Sequence, residues 1–251
     1  MSGHSKWSSI KHKKGAADAK RGKLFTKLSR AIIVAAKEGG PDPSGNASLQ
    51  SAIDKAKSYS MPKDNIERAI AKGAGTEADA AVFEIVVYEG YGPDGVAVLV
   101  EALTDNRNRT ASDVRHTFAK NGGNLGTSGS VAWLFERRGV VLVDAEGADE
   151  DELMLAAAEG GADDLERDGS VFQVSAPPES LAEVRNAISE AGFAIDSAEL
   201  SMIPKTTVEI ADESSARKLM RLLEALEEND DVQDVWSNFD IPEQVLEAVA
   251  S

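Results

Sequence analysis

Cysteine is absent from this chain of 251 residues. That excludes disulfides, thiolate metal sites and a cysteine nucleophile, and it fits a reducing compartment. Histidine occurs three times, as His4, His12 and His116. Their spacing matches no zinc site, so no metal is expected. Aromatic residues make up only 5% of the chain. The RNA-recognition strand motif, which interleaves aromatic and basic residues, has no match. No apolar run approaches the roughly 18 residues of a membrane span. No apolar core of a secretory signal follows the basic start, and a transit peptide is the weaker rival, since that start is poor in arginine and its basic pattern runs on into a predicted helix. The strained Gly-x-Ser-x-Gly turn of hydrolases is missing as well. No catalytic constellation emerges, and no enzymatic activity or cofactor is expected.

What the chain does have is charge, unevenly placed. The formal net charge is −16. Yet nine Lys and Arg fall in the first 30 residues, against Asp18 alone. Through Gly75 the count is fifteen positive to six negative; the remainder holds twelve positive to 37 negative. Such asymmetry points to a polyanion-binding part attached to an acidic body.

Periodicity predicts a helix over 18–38. Leu24, Leu28, Ala31, Ile32 and Ala35 share one face. Lys20, Lys23, Lys27 and Arg30, spaced +3, +4 and +3, form a second, separate stripe. The glycines and prolines of "GGPDPSGN" end this helix. Further helices are expected over 47–59, burying Leu49, Ala52, Ile53 and Ala56, and over 62–72. In the latter, Pro62 suits the first turn, Asp64 and Glu67 resemble a capping box, and Gly73 suits the position after the helix.

Composition then shifts to β-branched runs. "VFEIVVYEG", "GVAVLVEAL", "RTASDVRHTFAKNGG" and "SVAWLFE" read as β-β-α-β. Residues 137–203 read as β-α-β-β-α-β, the ferredoxin-like order. "TTVEIA", "ESSARKLMRLLEALEEN" and "DVQDVWSNF" read as β-α-β and are expected to complete the sheet begun near residue 82. The expected fold class is therefore α+β: an N-terminal three-helix domain, then two ferredoxin-like α/β-sandwich domains, one inserted into the other. The corresponding domains are a basic helical domain at 1–78, a split domain at 79–136 plus 204–251, and an inserted domain at 137–203.

Several motifs point to chemistry only weakly. "DLERDGS" approaches a calcium loop through Asp164, Glu166, Asp168 and Gly169. Ser175 stands where a bidentate Glu is required. A hairpin turning at Asp168-Gly169 fits better. "GGNLGTSG" shares only its glycines with a phosphate loop and reads as a turn-rich connection. The inserted domain offers Phe172 but little else for base stacking, and its acidic surface would repel phosphate. Arg107, Arg109 and Arg115 open a helix, where backbone amides favour anions. They are candidates for a secondary anion contact. Capping and local pairing with Asp105 and Asp113 explain them equally well.

"GHSKW", "KRGKLFTKLSRAI", "YEGYGP", "TDNRNRTASDVRH" and "GGNLGTSGSVAWLF" together resemble the YebC family. The likeness runs from the start to about residue 136. It implies a cytoplasmic, three-domain, non-enzymatic protein. Members include DNA-binding transcriptional regulators and ribosome-associated translation factors, among them a mitochondrial translational activator. The resemblance leaves DNA and ribosomal RNA open as targets. The basic matching positions, taken as nucleic-acid-binding candidates, are Lys6, Lys11, Lys13, Lys14, Lys20, Arg21, Lys23, Lys27 and Arg30. Trp7 is a candidate for stacking, and His12 can join the patch through hydrogen bonding. The expected partner is nucleic acid, DNA or ribosomal RNA, with the ribosome as one setting and no membrane. A protein-interaction scaffold is the reading from another class. The oligomeric state is not legible.

Overall fold

The computed structural model describes residues 18–75 and 83–242, together with 244, 245 and 249. Three helices come first: α1 (Asp18–Gly39), α2 (Ala47–Ser58) and α3 (Lys63–Ala74). Leu28, Ile32, Ala35 and Ala36 of α1 meet Leu49, Ile53 and Ala56 of α2 and Ile66 and Ala69 of α3 in one small core. Ala31 is only half-buried, and Ala36 takes a core place instead. Asn46 closes the α1–α2 turn. Its carbonyl accepts from Leu49 N at 3.0 Å, and its amide donates to Ala35 O at 2.7 Å.

The start and end of α3 differ from expectation. Pro62 is the cap residue and offers no side-chain hydrogen bond, so no capping box forms. Glu67 lies 3.5 Å from Lys63 instead. Gly73 belongs to the helix and is buried against α1. A Cβ there would stand 2.5 Å from Ile33 O and 2.8 Å from Ala36 Cβ. Close approach of α1 leaves no room for a side chain there, which a single-helix pattern does not reveal.

Two four-stranded sheets follow. The first uses β1 (Glu84–Tyr91), β2 (Ala97–Thr104), β3 (Asn124–Leu125) and a late strand, β9 (Val232–Ser237), in the order β3-β1-β2-β9. β1 and β2 pair antiparallel from Glu84↔Thr104 to Tyr91↔Ala97. Helix α4 (Arg107–Lys120) packs on β1, and α7 (Glu213–Glu227) packs on β9. The second sheet inserts between α4 and α7. It holds β4 (Phe135–Asp144), β5 (Asp164–Asp168), β6 (Val171–Ala176) and β7 (Ile195–Pro204), ordered β5-β6-β4-β7. Helices α5 (Glu150–Glu159) and α6 (Leu181–Glu190) pack together, with Leu153, Val184 and Ile188 in a core with Val141, Phe172 and Val174. That is the ferredoxin-like order, and the fold is α+β as expected.

The described residues fall into two compact units. Residues 83–136 and those from 203 onward make one; residues 18–75 and 137–202 make the other. Within the second unit, Lys55 lies 3.6 Å from Glu199, and Arg185 lies 3.6 Å from Asp54.

Three local readings need correction. Register pairs Asp168 with Val171, so the hairpin turns at Gly169-Ser170, one residue later than expected. Gly169 has φ +60°, which glycine adopts without strain. The first strand of the last unit shrinks to β8 (Val208–Glu209). It leaves the main sheet and pairs in parallel with β10 (Phe239–Asp240). Asn238 makes this switch: its Oδ1 accepts from Ala97 N at 2.7 Å, and its amide donates to Thr206 O at 3.1 Å.

The third correction concerns "GGNLGTSGSVAWLF". Residues 124–125 form β3, and Ala132–Leu134 form a 3-10 turn where a strand was expected. The cause is Glu89 on β1, buried at 5% exposure. Its Oε1 accepts from Gly129 N at 2.6 Å; its Oε2 accepts from Val131 N at 2.8 Å and Ala132 N at 2.7 Å. Consecutive N–H groups of a strand point to opposite sides. Two of them meeting one oxygen require a turn. Burial alone would raise the Glu89 pKa. The three backbone donors outweigh burial and hold the carboxyl below its ordinary value of 4.5.

Two stability outcomes follow. Gly73→Val should lower the urea midpoint, with an overpacking cost of about 1–3 kcal/mol. Glu89→Gln should cost about 1–3 kcal/mol near neutral pH by turning an amide NH2 toward backbone donors. A depressed folded pKa contributes stability above the unfolded value, and this is lost as pH falls through the folded one. The gap between wild type and Glu89→Gln should therefore narrow below about pH 4.3, in urea titrations across pH.

Candidate nucleic-acid interface

The interface begins with the division of α1 into two faces. The buried residues of α1 centre about 160° from Lys23, Lys27 and Arg30, counting 100° per residue. Burying the apolar stripe against α2 and α3 therefore turns the cationic stripe outward. Lys23 is exposed, while Lys27 and Arg30 are half-buried and make contacts within the protein. Long cationic side chains do this routinely, laying the stem on the surface and keeping the head in water. Lys20 and Arg21 continue the same helix by backbone. Lys6, Trp7, Lys11, His12, Lys13 and Lys14 lie outside the described residues.

Lys57 and Arg68 of the helical segment have local partners. Lys57 lies 3.8 Å from Asp54, and Arg68 donates to Asp64 O at 3.1 Å. The stripe on α1 is thus a set of like charges on one helix face, with Glu38 the first carboxylate after Asp18 in the sequence. Like charges at i,i+3 and i,i+4 repel, a cost that a bound anion relieves.

The arginines of α4 divide. Asn106 caps the helix, accepting from Arg109 N at 3.1 Å. The Arg109 guanidinium donates to Asp231 Oδ2 at 2.7 Å and Asp105 Oδ1 at 2.9 Å. Those bonds, that to Asp231 first, raise its pKa above the ordinary range. Asp231 is buried and also accepts from Thr110 Oγ1 at 2.7 Å and Thr104 Oγ1 at 3.3 Å. The structure assigns Arg109 to this network. Arg107 and Arg115 are exposed. The Arg107 carbonyl accepts from Tyr88 Oη at 3.3 Å, and burial raises the pKa of that phenol. His116 is exposed on α4, and His4 and His12 lie outside the described residues.

Two residues escaped sequence reasoning. Glu89 was legible only as a carboxylate inside the apolar run "EIVVYEGYG". Asp231, one of several acids near the last strand, carried no signal at all. Trp133 was expected inside a strand. It stands 66% exposed on the turn that Glu89 imposes, with Nε1 donating to Ser130 O at 3.1 Å. Among the described residues no group of three or more His, Cys, Asp or Glu is placed to hold a metal, and no helix is long and apolar enough to cross a membrane.

Comparison with known proteins places this geometry. Residues 5–76 match the model of the TACO1/YebC protein N-terminal domain, and residues 83–239 match that of the TACO1/YebC second and third domain. A probable transcriptional regulatory protein of Rubrobacter xylanophilus is 60% identical over 250 residues, covering all of both chains. One of Desulfotalea psychrophila is 58% identical, again over the whole of both. The crystal structure of a conserved hypothetical protein from Aquifex aeolicus superposes with a TM-score of 0.83 at 53% identity. It covers 94% of this chain and 97% of its own. With both family models matched across nearly its whole length, the chain belongs to the TACO1/YebC family.

Proposed function

We propose that this protein is a non-enzymatic, nucleic-acid-binding regulator of gene expression, acting as a DNA-binding transcriptional regulator through its basic N-terminal helical domain. The observation that carries this reading is the cationic face of α1, set opposite the face buried in the core. The names of the relatives from Rubrobacter xylanophilus and Desulfotalea psychrophila support the regulatory part. Lys6, Lys11, Lys13, Lys14, Lys20, Arg21, Lys23, Lys27 and Arg30 would meet phosphates, with Trp7 stacking and His12 assisting. Phosphate contacts of this kind position a protein and supply affinity without reading sequence. We read the chain as three domains, 1–78, 79–136 with 204–251, and 137–203. The acidic second and third keep the rest of the surface from indiscriminate contact with polyanions. Arg107 and Arg115, exposed at α4, are secondary anion contacts in this scheme.

Electrostatics provides the test. If about six phosphates are neutralised, affinity for a DNA duplex should fall roughly a thousandfold between about 50 and 200 mM salt. Replacing Lys20, Lys23, Lys27 and Arg30 with Ala should flatten the logarithmic salt slope by about 3–4. An unchanged slope removes this face from the interface. Sedimentation of cell lysate separates the settings. Free migration with a promoter-selective shift supports transcription. Ribosome co-sedimentation that the quadruple variant loses instead makes the protein a translation factor on ribosomal RNA.

A further inference from the structure

Beyond the N-terminal face, the acidic part of the chain carries one dense cationic feature. Twelve Lys and Arg follow residue 75, and three of them, Arg217, Lys218 and Arg221, fall within five positions of α7. With Ser214 they make one stripe, since positions 214, 218 and 221 recur within about 60° of each other on a helix. All four side chains are exposed. The opposite side of α7 is apolar and anchored: Ala216, Leu219, Leu222, Leu223 and Leu226 are almost fully buried. The stripe is thus held rigidly outward by a packed helix.

The surface is concave as well as basic. Ser214, Arg217, Lys218 and Arg221 line a hollow of about 720 Å³, together with Asp212 and Glu213. The two carboxylates are already occupied. Asp212 caps α7 by accepting from Ser215 N at 2.8 Å. Glu213 lies 3.8 Å from Arg217, an exposed pair that a stronger anion can displace. The positive end of the helix dipole opens into the same hollow. Arg217 and Arg221 are separated by about 6 Å along the axis, so two forks face outward side by side. Arginine forks match phosphate oxygens bidentately.

The geometry points to a second phosphate-binding surface on α7, formed by Ser214, Arg217, Lys218 and Arg221, that takes the backbone of a nucleic acid. This rests on the reading of the chain as a nucleic-acid binder and adds a contact outside the N-terminal domain. A polyanionic backbone fits better than a protein partner. The large exposed apolar side chains among the described residues are Ile85, Val87, Trp133, Met154 and Leu155, and none lies on α7. Protein interfaces are anchored by such side chains, whereas phosphate surfaces are not.

The test uses the full chain, labelled with ¹⁵N and titrated with a short DNA duplex. Amide resonances of residues 213–221 should shift, and R217A/K218A/R221A should lower the logarithmic salt slope of binding by about 2–3. Shifts confined to α1 with an unchanged slope overturn the α7 surface and leave the N-terminal reading standing. Shifts on α7 without any on α1 support the surface and count against the N-terminal reading. Polyglutamate that moves the α7 resonances as strongly as the duplex overturns the assignment to phosphate. The wild-type titration reads the site directly, so a poorly folding variant leaves it decisive.

Discussion

Asp231 ties together two stretches of chain that the inserted sheet separates. Its carboxylate receives Thr104 from the end of β2, and Arg109 and Thr110 from the first turn of α4. Its backbone carbonyl accepts from Leu103 N at 2.7 Å. A buried carboxylate is costly unless several donors meet it. These donors come from residues 103–110, more than 120 positions upstream. The cost of leaving Asp231 unpaired therefore specifies that β9 closes against β2. That closure lets residues 137–202 form their own sheet between two halves that still make one core.

Glu89 applies the same physics on the other side of β1. It gathers three backbone N–H groups from residues 129–132 and imposes the turn that leaves Trp133 exposed. Both acids organise loops around the first sheet, by supplying acceptors to backbone or side-chain donors.

Helix α1 shows how packing selects an interface. The core takes Leu28, Ile32, Ala35 and Ala36. With those buried, Lys23, Lys27 and Arg30 fall on the opposite side of the helix, Lys23 exposed and the other two half-buried. The same logic operates on α7, where a row of buried leucines sets Arg217, Lys218 and Arg221 outward. In a chain of net charge −16, such faces stand out electrostatically from the acidic remainder.

Much of this was legible in the sequence. Helices at 18–39 and 47–58, the β-α-β-β-α-β order of the insertion and the cationic stripe of α1 all follow from local periodicity and charge. Periodicity reads out which residues share a face, and that needs no knowledge of partners. The misreadings share a different cause. Gly73 reports the approach of another helix. The turn at Ala132–Leu134 is imposed by an acid 43 residues away. The fate of β8 depends on Asn238. Whether Arg109 faces an anion or Asp231 depends on a residue 122 positions later. Local pattern and charge segregation were the sequence's own. Contacts distant along the chain, whose worth comes from burial and from saturating buried polar groups, were decided only by the tertiary structure.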